Sequence, residues 1–189
     1  LYFIPVVTMP AAIALVWAFI YNGDYGILNQ TLGLFGIRGT SWLSNPSTAL
    51  LAVAVVSIWT TIGTNIVIFV AGLQGIPTSL YEAANLDGAG PARRFFSVTL
   101  PLLSPSVFFV SVITVISSLQ VFDLFYVMIA PLNPARPTTM TIVSLFYDAG
   151  FVRNERGFAA AIALVLMVII LILTAIQFRL QRRWVHYDY

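Results

Sequence analysis

The residues best placed to do chemistry lie in one segment, Ile76-Pro-Thr-Ser-Leu-Tyr-Glu-Ala-Ala-Asn-Leu-Asp-Gly-Ala-Gly-Pro-Ala-Arg-Arg-Phe-Phe96, followed by Leu100-Pro101. Ser79 and Glu82 have the S-x-x-E spacing of a capping box, just after Pro77. Leu80, Ala83 and Ala84 would then give one side of a short helix a small, apolar face. Gly88 can supply the left-handed residue that ends it. Pro91 suits the first position of a second helix, which would display Arg93 and Arg94. Two readings of this helix-turn-helix stand. It is an ordinary interhelical loop, or a surface on which Glu82 and the alanines admit a closely docked partner.

A second group sits in an apolar stretch. Asp123 is the ionisable residue lying well inside one, and such residues mark functional sites by default. On a continuous helix Gln120 and Tyr126, three positions either side, would share its face. Phe122 and Tyr126 offer aromatic faces, and Gln120 and Asp123 offer donors and acceptors for hydroxyls. Alternatively, Asp123 pairs with a sister subunit and holds an interface. Asn65, near Thr60, Thr61 and Thr64, is a further candidate, against which stands the commoner role of such groups in interhelical hydrogen bonds. Gly63 reads as a site of tight helix packing.

The elements that must position these groups are set by composition. The chain of 189 residues is 59% hydrophobic and 8% charged, against about 25% charged in ordinary soluble domains. Its mean hydropathy is +0.93, so lipid must be the solvent for most of it. Four apolar stretches, at about 2–21, 48–73, 102–129 and 158–178, each reach the roughly 20 residues needed to cross a bilayer. The expected fold is therefore all-α, a polytopic bundle of four spans with the 74–100 loop projecting between two of them. Within 130–157, the half from Met140 to Phe151 reads as a short helix at the surface or dipping into the protein. The chain begins at Leu1 inside an apolar segment and reads as the C-terminal part of a longer protein.

Several classes of function are excluded. With no cysteine and a single His186, thiolate catalysis, disulfides and Cys- or His-based metal sites drop out. The formal net charge of +2 is too small and scattered for a nucleic-acid surface. The arginines at 179–183, directly after the last span, place the tail and the 74–100 loop on the cytoplasmic side. They read as an interfacial anchor, and His186 needs no special role. A membrane-embedded enzyme would need catalytic groups concentrated at one depth, which a lone Asp123 does not supply. A structural membrane protein remains as a rival reading.

Glu82-Ala83-Ala84, then Asp87-Gly88-Ala89, then Leu100-Pro101 resembles the EAA loop of binding-protein-dependent ABC importer permeases. Gln120-Val-Phe-Asp-Leu-Phe-Tyr-Val-Met128 resembles the matching span of the carbohydrate branch, the maltose and glycerol-phosphate type. The sequence departs from that branch after Met128, where Ala130-Pro-Leu-Asn-Pro-Ala-Arg-Pro137 replaces a Gly-rich stretch. The resemblance covers nearly the whole chain and implies a single permease domain over 1–189, made of the last four spans of a six-span core, in the bacterial inner membrane. It implies that Glu82, Ala83, Ala84, Asp87, Gly88 and Ala89 form a coupling helix and its turn, docked on an ATPase subunit. Glu82 would make a charge-assisted hydrogen bond there. Gln120, Phe122, Asp123, Tyr126 and Asn65 would line the solute path. The chain carries no cofactor and no G-x-x-x-x-G-K-[ST], so ATP and Mg belong to the ATPase dimer. The other implied partners are a second permease subunit, an extracytoplasmic solute-binding protein and the bilayer. The implied solute is a carbohydrate, with a polyamine or a phosphate ester as the rival cargo.

Overall fold

A computed structural model describes residues 4–182, 184 and 185. The start of the first apolar stretch, Arg183 and His186 lie outside the described residues. Those residues contain helices and loops and no strand. Three helices are long and apolar enough to cross a membrane: α4 (Ala49–Gln74), a continuous run from Pro91 to Leu119, and α11 (Arg156–Gln181). Their most apolar windows are only 17%, 17% and 11% buried within the chain, so most of their surface is left for lipid or other subunits.

The first expected span is interrupted. Helix α1 (Ile4–Val7) stops at Thr8–Met9, and α2 (Pro10–Ile20) restarts with Pro10 in its first turn. Pro10 has no N–H and suits a helix start, while the Thr8 hydroxyl donates to the Ile4 carbonyl at 2.7 Å. Beyond α2, the short α3 (Ile27–Leu34) is held by Asn29. Its amide donates to the carbonyls of Gly23 and Thr40 at 2.9 and 3.0 Å, and its oxygen accepts from the Trp42 indole at 2.7 Å.

The third expected span also differs. The helix starts near 91 rather than 102 and ends at Leu119 rather than 129. Its first turn, α6 (Pro91–Arg94), runs through a π turn (Phe95–Thr99) into α7 (Leu100–Leu119). The two prolines explain the irregularity. Pro101 deprives the Ser97 carbonyl of its usual donor and crowds it, and the residues just before it widen into the π turn. Pro105 frees the Pro101 carbonyl in the same way, and the Ser104 hydroxyl donates to it. Polar side chains commonly repair a proline-broken ladder in apolar surroundings. After Leu119 the chain turns and begins a separate helix, α8 (Asp123–Met128). The remainder is α9 (Arg136–Thr139), α10 (Ile142–Tyr147), a second π turn (Asp148–Val152) and α11. The expected helix between Met140 and Phe151 is thus present.

The chain divides into two compact units, Leu1–Gly63 with Ser118–Val168, and Thr64–Ser117 with Ile169–Tyr189. The first is built on α2 and α8, whose Ile13, Ala14, Leu124, Phe125 and Met128 pack with Ala52, Val53 and Val56 of α4. In the second, Gly72 of α4 lies against Leu103 and Ser106 of α7, where a Cβ would meet a Leu103 methyl at 2.9 Å. Such small-residue contacts are how helices pack closely in lipid. Phe108 of α7 meets Phe178 of α11 edge to face at 5.2 Å, and Gln177 donates to the Ser111 carbonyl at 3.3 Å. Gly63 is buried, whereas the Thr60 and Thr61 hydroxyls bond their own helix, to the carbonyls of Ser57 and Ile58 at 2.8 and 2.9 Å. Within this chain both hydroxyl protons go to their own helix.

Candidate functional site

In the second unit, α5 (Thr78–Leu86) is a nine-residue helix with no buried residue. Its start corrects the capping-box expectation. The N-cap is Pro77, without a side-chain cap, and Ser79 and Glu82 lie inside the helix. Proline pre-sets the backbone for the turn, so helix entry begins two residues earlier than the S-x-x-E spacing implies. Its end is as expected. Gly88 has φ +72°, the Ala89 N–H reaches the Ala84 carbonyl at 2.9 Å, and the Gly88 N–H reaches Asn85 at 3.0 Å. That pair of bonds is a Schellman motif, which glycine permits without strain.

Glu82, Ala83, Asp87 and Gly88 are exposed, and Ala84 and Ala89 half-buried. Leu86, at the helix end, is 90% exposed. The second helix of the expected helix-turn-helix is not separate: it is the foot of the run ending at Leu119. Two side-chain bonds tie α5 to that foot. The hydroxyls of Tyr81 and Thr99 lie 3.0 Å apart, and Arg94 Nη1 donates to Asn85 Oδ1 at 2.7 Å. Neither tie is visible in sequence, because each joins residues across a turn whose geometry had first to be known. These bonds join α5 directly to the next long helix.

In the first unit, Gln120, Phe122 and Asp123 line one cavity of about 220 Å³ with Pro5, Pro10 and Thr60. The structure therefore brings these three candidates together, but not on one helical face. Gln120 sits in the turn after α7, Phe122 is the N-cap of α8, and Asp123 is its first residue. An acidic group at that position also favours the helix N-terminus. Gln120 and Asp123 are exposed within this chain, and Phe122 and Tyr126 are half-buried. Asn65, half-buried in the other unit, is not among the cavity's lining residues.

Tyr126 instead joins Phe122 in an aromatic cluster. Phe122 stacks on Tyr126 at 5.1 Å, and Tyr147 contacts both, at 5.1 and 5.0 Å. Phe151 stacks on Tyr147 at 5.3 Å. Tyr147 and Phe151 were missed in sequence because they lie beyond the Pro-rich stretch; their spacing on a short helix was the available signal. Thr141 fixes the arrangement twice. Its hydroxyl donates to the Val121 carbonyl at 3.1 Å and accepts from the Ser144 N–H at 3.1 Å, capping α10. Aromatic faces beside polar hydroxyl-binding groups suit a sugar-like solute.

Comparison with known proteins places the chain in a family and matches its fold. The pattern of the family described as "Binding-protein-dependent transport system inner membrane component" matches residues 1–186. The sn-glycerol-3-phosphate transport system permease protein UgpA of Agrobacterium fabrum is 40% identical over 185 residues, covering 97% of this chain and 62% of that protein. Its counterpart in Yersinia enterocolitica is 38% identical over 187 residues, covering 98% and 62%. This chain thus spans about three-fifths of the length of these relatives. In fold, it is similar to a chain of a bacterial alginate ABC transporter in complex with an alginate pentasaccharide-bound periplasmic protein. The TM-score is 0.86 at 22% identity, covering 96% of this chain and 62% of that one.

Proposed function

Because the chain belongs to the family of binding-protein-dependent transport system inner membrane components, we propose that it is the transducing part of an ATP-driven ABC importer permease. Its cargo is a carbohydrate or sugar derivative, handed over by an extracytoplasmic solute-binding protein. ATP and Mg belong to a separate ATPase dimer, a second permease subunit completes the path, and the complex sits multi-pass in the bacterial cytoplasmic membrane. The observation that carries this reading is α5: an exposed helix carrying Glu82-Ala83-Ala84, closed by a left-handed glycine and tied by Tyr81 and Arg94 to the next long helix.

In this reading Glu82 meets a cationic group of the ATPase, Ala83, Ala84 and Ala89 allow close approach, and Asp87 and Gly88 shape the turn. Closure of the ATPase dimer pushes α5, and the long helices rock between outward- and inward-facing states. Gln120, Phe122, Asp123 and Tyr126 line the path, with Asn65 as a further polar group. The carbohydrate assignment draws support from the aromatic cluster and from the saccharide named for the structural neighbour, while glycerol phosphate, named for the sequence relatives, is a sugar derivative that equally fits the phosphate-ester rival.

The test is ATPase activity of the purified full-length complex with and without loaded solute-binding proteins. Stimulation by one loaded carbohydrate binder is the expected result. A co-purified ATPase that ignores every such binder would remove the carbohydrate assignment, and absence of any ATPase would remove the coupling role. Glu82→Lys is expected to leave the protein inserted while separating ATP hydrolysis from uptake, and normal uptake in that variant would refute the contact.

A further inference from the structure

Arginine is costly to bury unless its donors all find acceptors. Arg136, from the stretch where the sequence departs from the carbohydrate branch, is nevertheless only 6% exposed. Its guanidinium reaches two pieces of chain, α8 with its C-cap and Asp148. Nη1 donates to the carbonyl of Ile129, the C-cap of α8, at 3.0 Å. Nη2 donates to both carboxylate oxygens of Asp148 at 3.1 and 3.0 Å. The guanidinium carbon lies 5.8 Å from the centre of the Phe125 ring and 5.4 Å from that of Tyr126.

These contacts meet at the aromatic cluster. Tyr126 lies on α8, and Asp148 directly follows Tyr147, which contacts both Phe122 and Tyr126. One side chain therefore joins the helix that carries Tyr126 to the segment that carries Tyr147 and Phe151. We propose that Arg136 is a positioning residue, a staple that holds α8 against the Asp148–Val152 turn and so fixes the spacing of the aromatic cluster. Its service to solute recognition rests on the proposed translocation path. The staple needs a planar fork, because a carbonyl and a carboxylate must be met in one plane while two rings are covered. Lysine would keep the charge and lose that geometry. Reversing the pair, with Arg136→Asp and Asp148→Arg together, would restore an ion pair but leave the Ile129 carbonyl facing a carboxylate.

The experiment uses the full importer in lipid nanodiscs and proteoliposomes, with Arg136→Gln, Arg136→Lys and the reversed pair. Hydrogen exchange is read over 121–129 and 142–152, with α4 and α11 as internal controls. Uptake is read with sn-glycerol 3-phosphate and an alginate oligosaccharide as probes. Arg136→Gln is expected to speed exchange in both segments by about tenfold or more, as loss of charge-assisted hydrogen bonds implies. It should raise the half-saturating concentration of the transported probe by a similar factor, with little change in maximal ATPase stimulation. Arg136→Lys should fall between, and the reversed pair should not recover the wild-type values. Unchanged exchange over 121–129 would overturn the staple. Faster exchange with an unmoved half-saturating concentration would overturn positioning and leave a purely structural ion pair. Wild-type transport of neither probe would count against the carbohydrate reading, while the exchange arm would still decide the staple.

Discussion

The double variant Tyr81→Phe with Arg94→Gln should break the mechanical link between α5 and the long helix that follows it, without touching the docking face itself. Apart from the Asp87–Gly90 turn, two side-chain bonds hold these elements together. The half-buried Tyr81–Thr99 hydroxyl pair, at 3.0 Å, is worth about 1 kcal/mol as a neutral hydrogen bond. The Arg94–Asn85 bond is shorter, at 2.7 Å, but it is solvent-exposed, so its charge assistance is largely screened and about 1 kcal/mol is a fair ceiling. Losing both removes about 2 kcal/mol, which multiplies the population of states with α5 swung free by about 30. The assay is the number of ATP molecules hydrolysed per solute imported by the reconstituted complex. That number should rise by about tenfold or more, with hydrolysis itself within about twofold and each single variant giving a smaller effect. A double variant that imports with wild-type stoichiometry would show that force passes through the turn backbone alone, and the tether argument would fail.

Two other outcomes follow from the first unit. Asn29→Ala strips acceptor or donor from Gly23, Thr40 and Trp42, a loss of about 3 kcal/mol at about 1 kcal/mol per bond. A red-shifted Trp42 emission and faster amide exchange across 22–47 should report it, and unchanged spectra would mean the loop is held elsewhere. Asp123→Ala should lower uptake while the complex still elutes intact from size-exclusion chromatography. Disassembly would instead place Asp123 at a subunit interface.

Most of the helices were legible because lipid imposes a crude and therefore readable rule, a long apolar run without charge. Ala49–Gln74 and Arg156–Gln181 fall within three residues of the expected bounds. The end of α5 was legible for a different reason: only glycine adopts φ +72° cheaply, so Gly88 announces its own geometry. What failed was the interior of apolar runs. Hydropathy does not distinguish a continuous helix from two helices joined by a turn, so the 102–129 stretch hid the break at 120–122. Propensity alone would put a break at the prolines 101 and 105, yet Ser104 and a π turn keep that helix continuous. Helix continuity here depends on whether a nearby hydroxyl repairs the backbone, which is a tertiary fact more than a propensity.

The same physics gives the cavity its character. Backbone that leaves the helix inside an apolar segment must find partners in protein or open onto a water-filled space. Both interruptions, at Thr8–Met9 and at Gln120–Phe122, fall in the first unit and flank one cavity, which Pro5, Pro10, Gln120 and Asp123 line together. Some of the freed groups are answered locally: Thr8 donates to Ile4, and Thr141 donates to Val121. Thr60, Gln120 and Asp123 add polar side chains to a lining otherwise made of Pro5, Pro10, Ile13, Val121, Phe122 and Leu124. A solute held there would be read by several polar side chains together, so loss of one leaves the others. Asp123→Ala is therefore expected to weaken uptake rather than abolish it, whereas loosening the Thr141 latch, by moving Val121 and its neighbours together, should cost transport more than loss of any single polar side chain in the cavity.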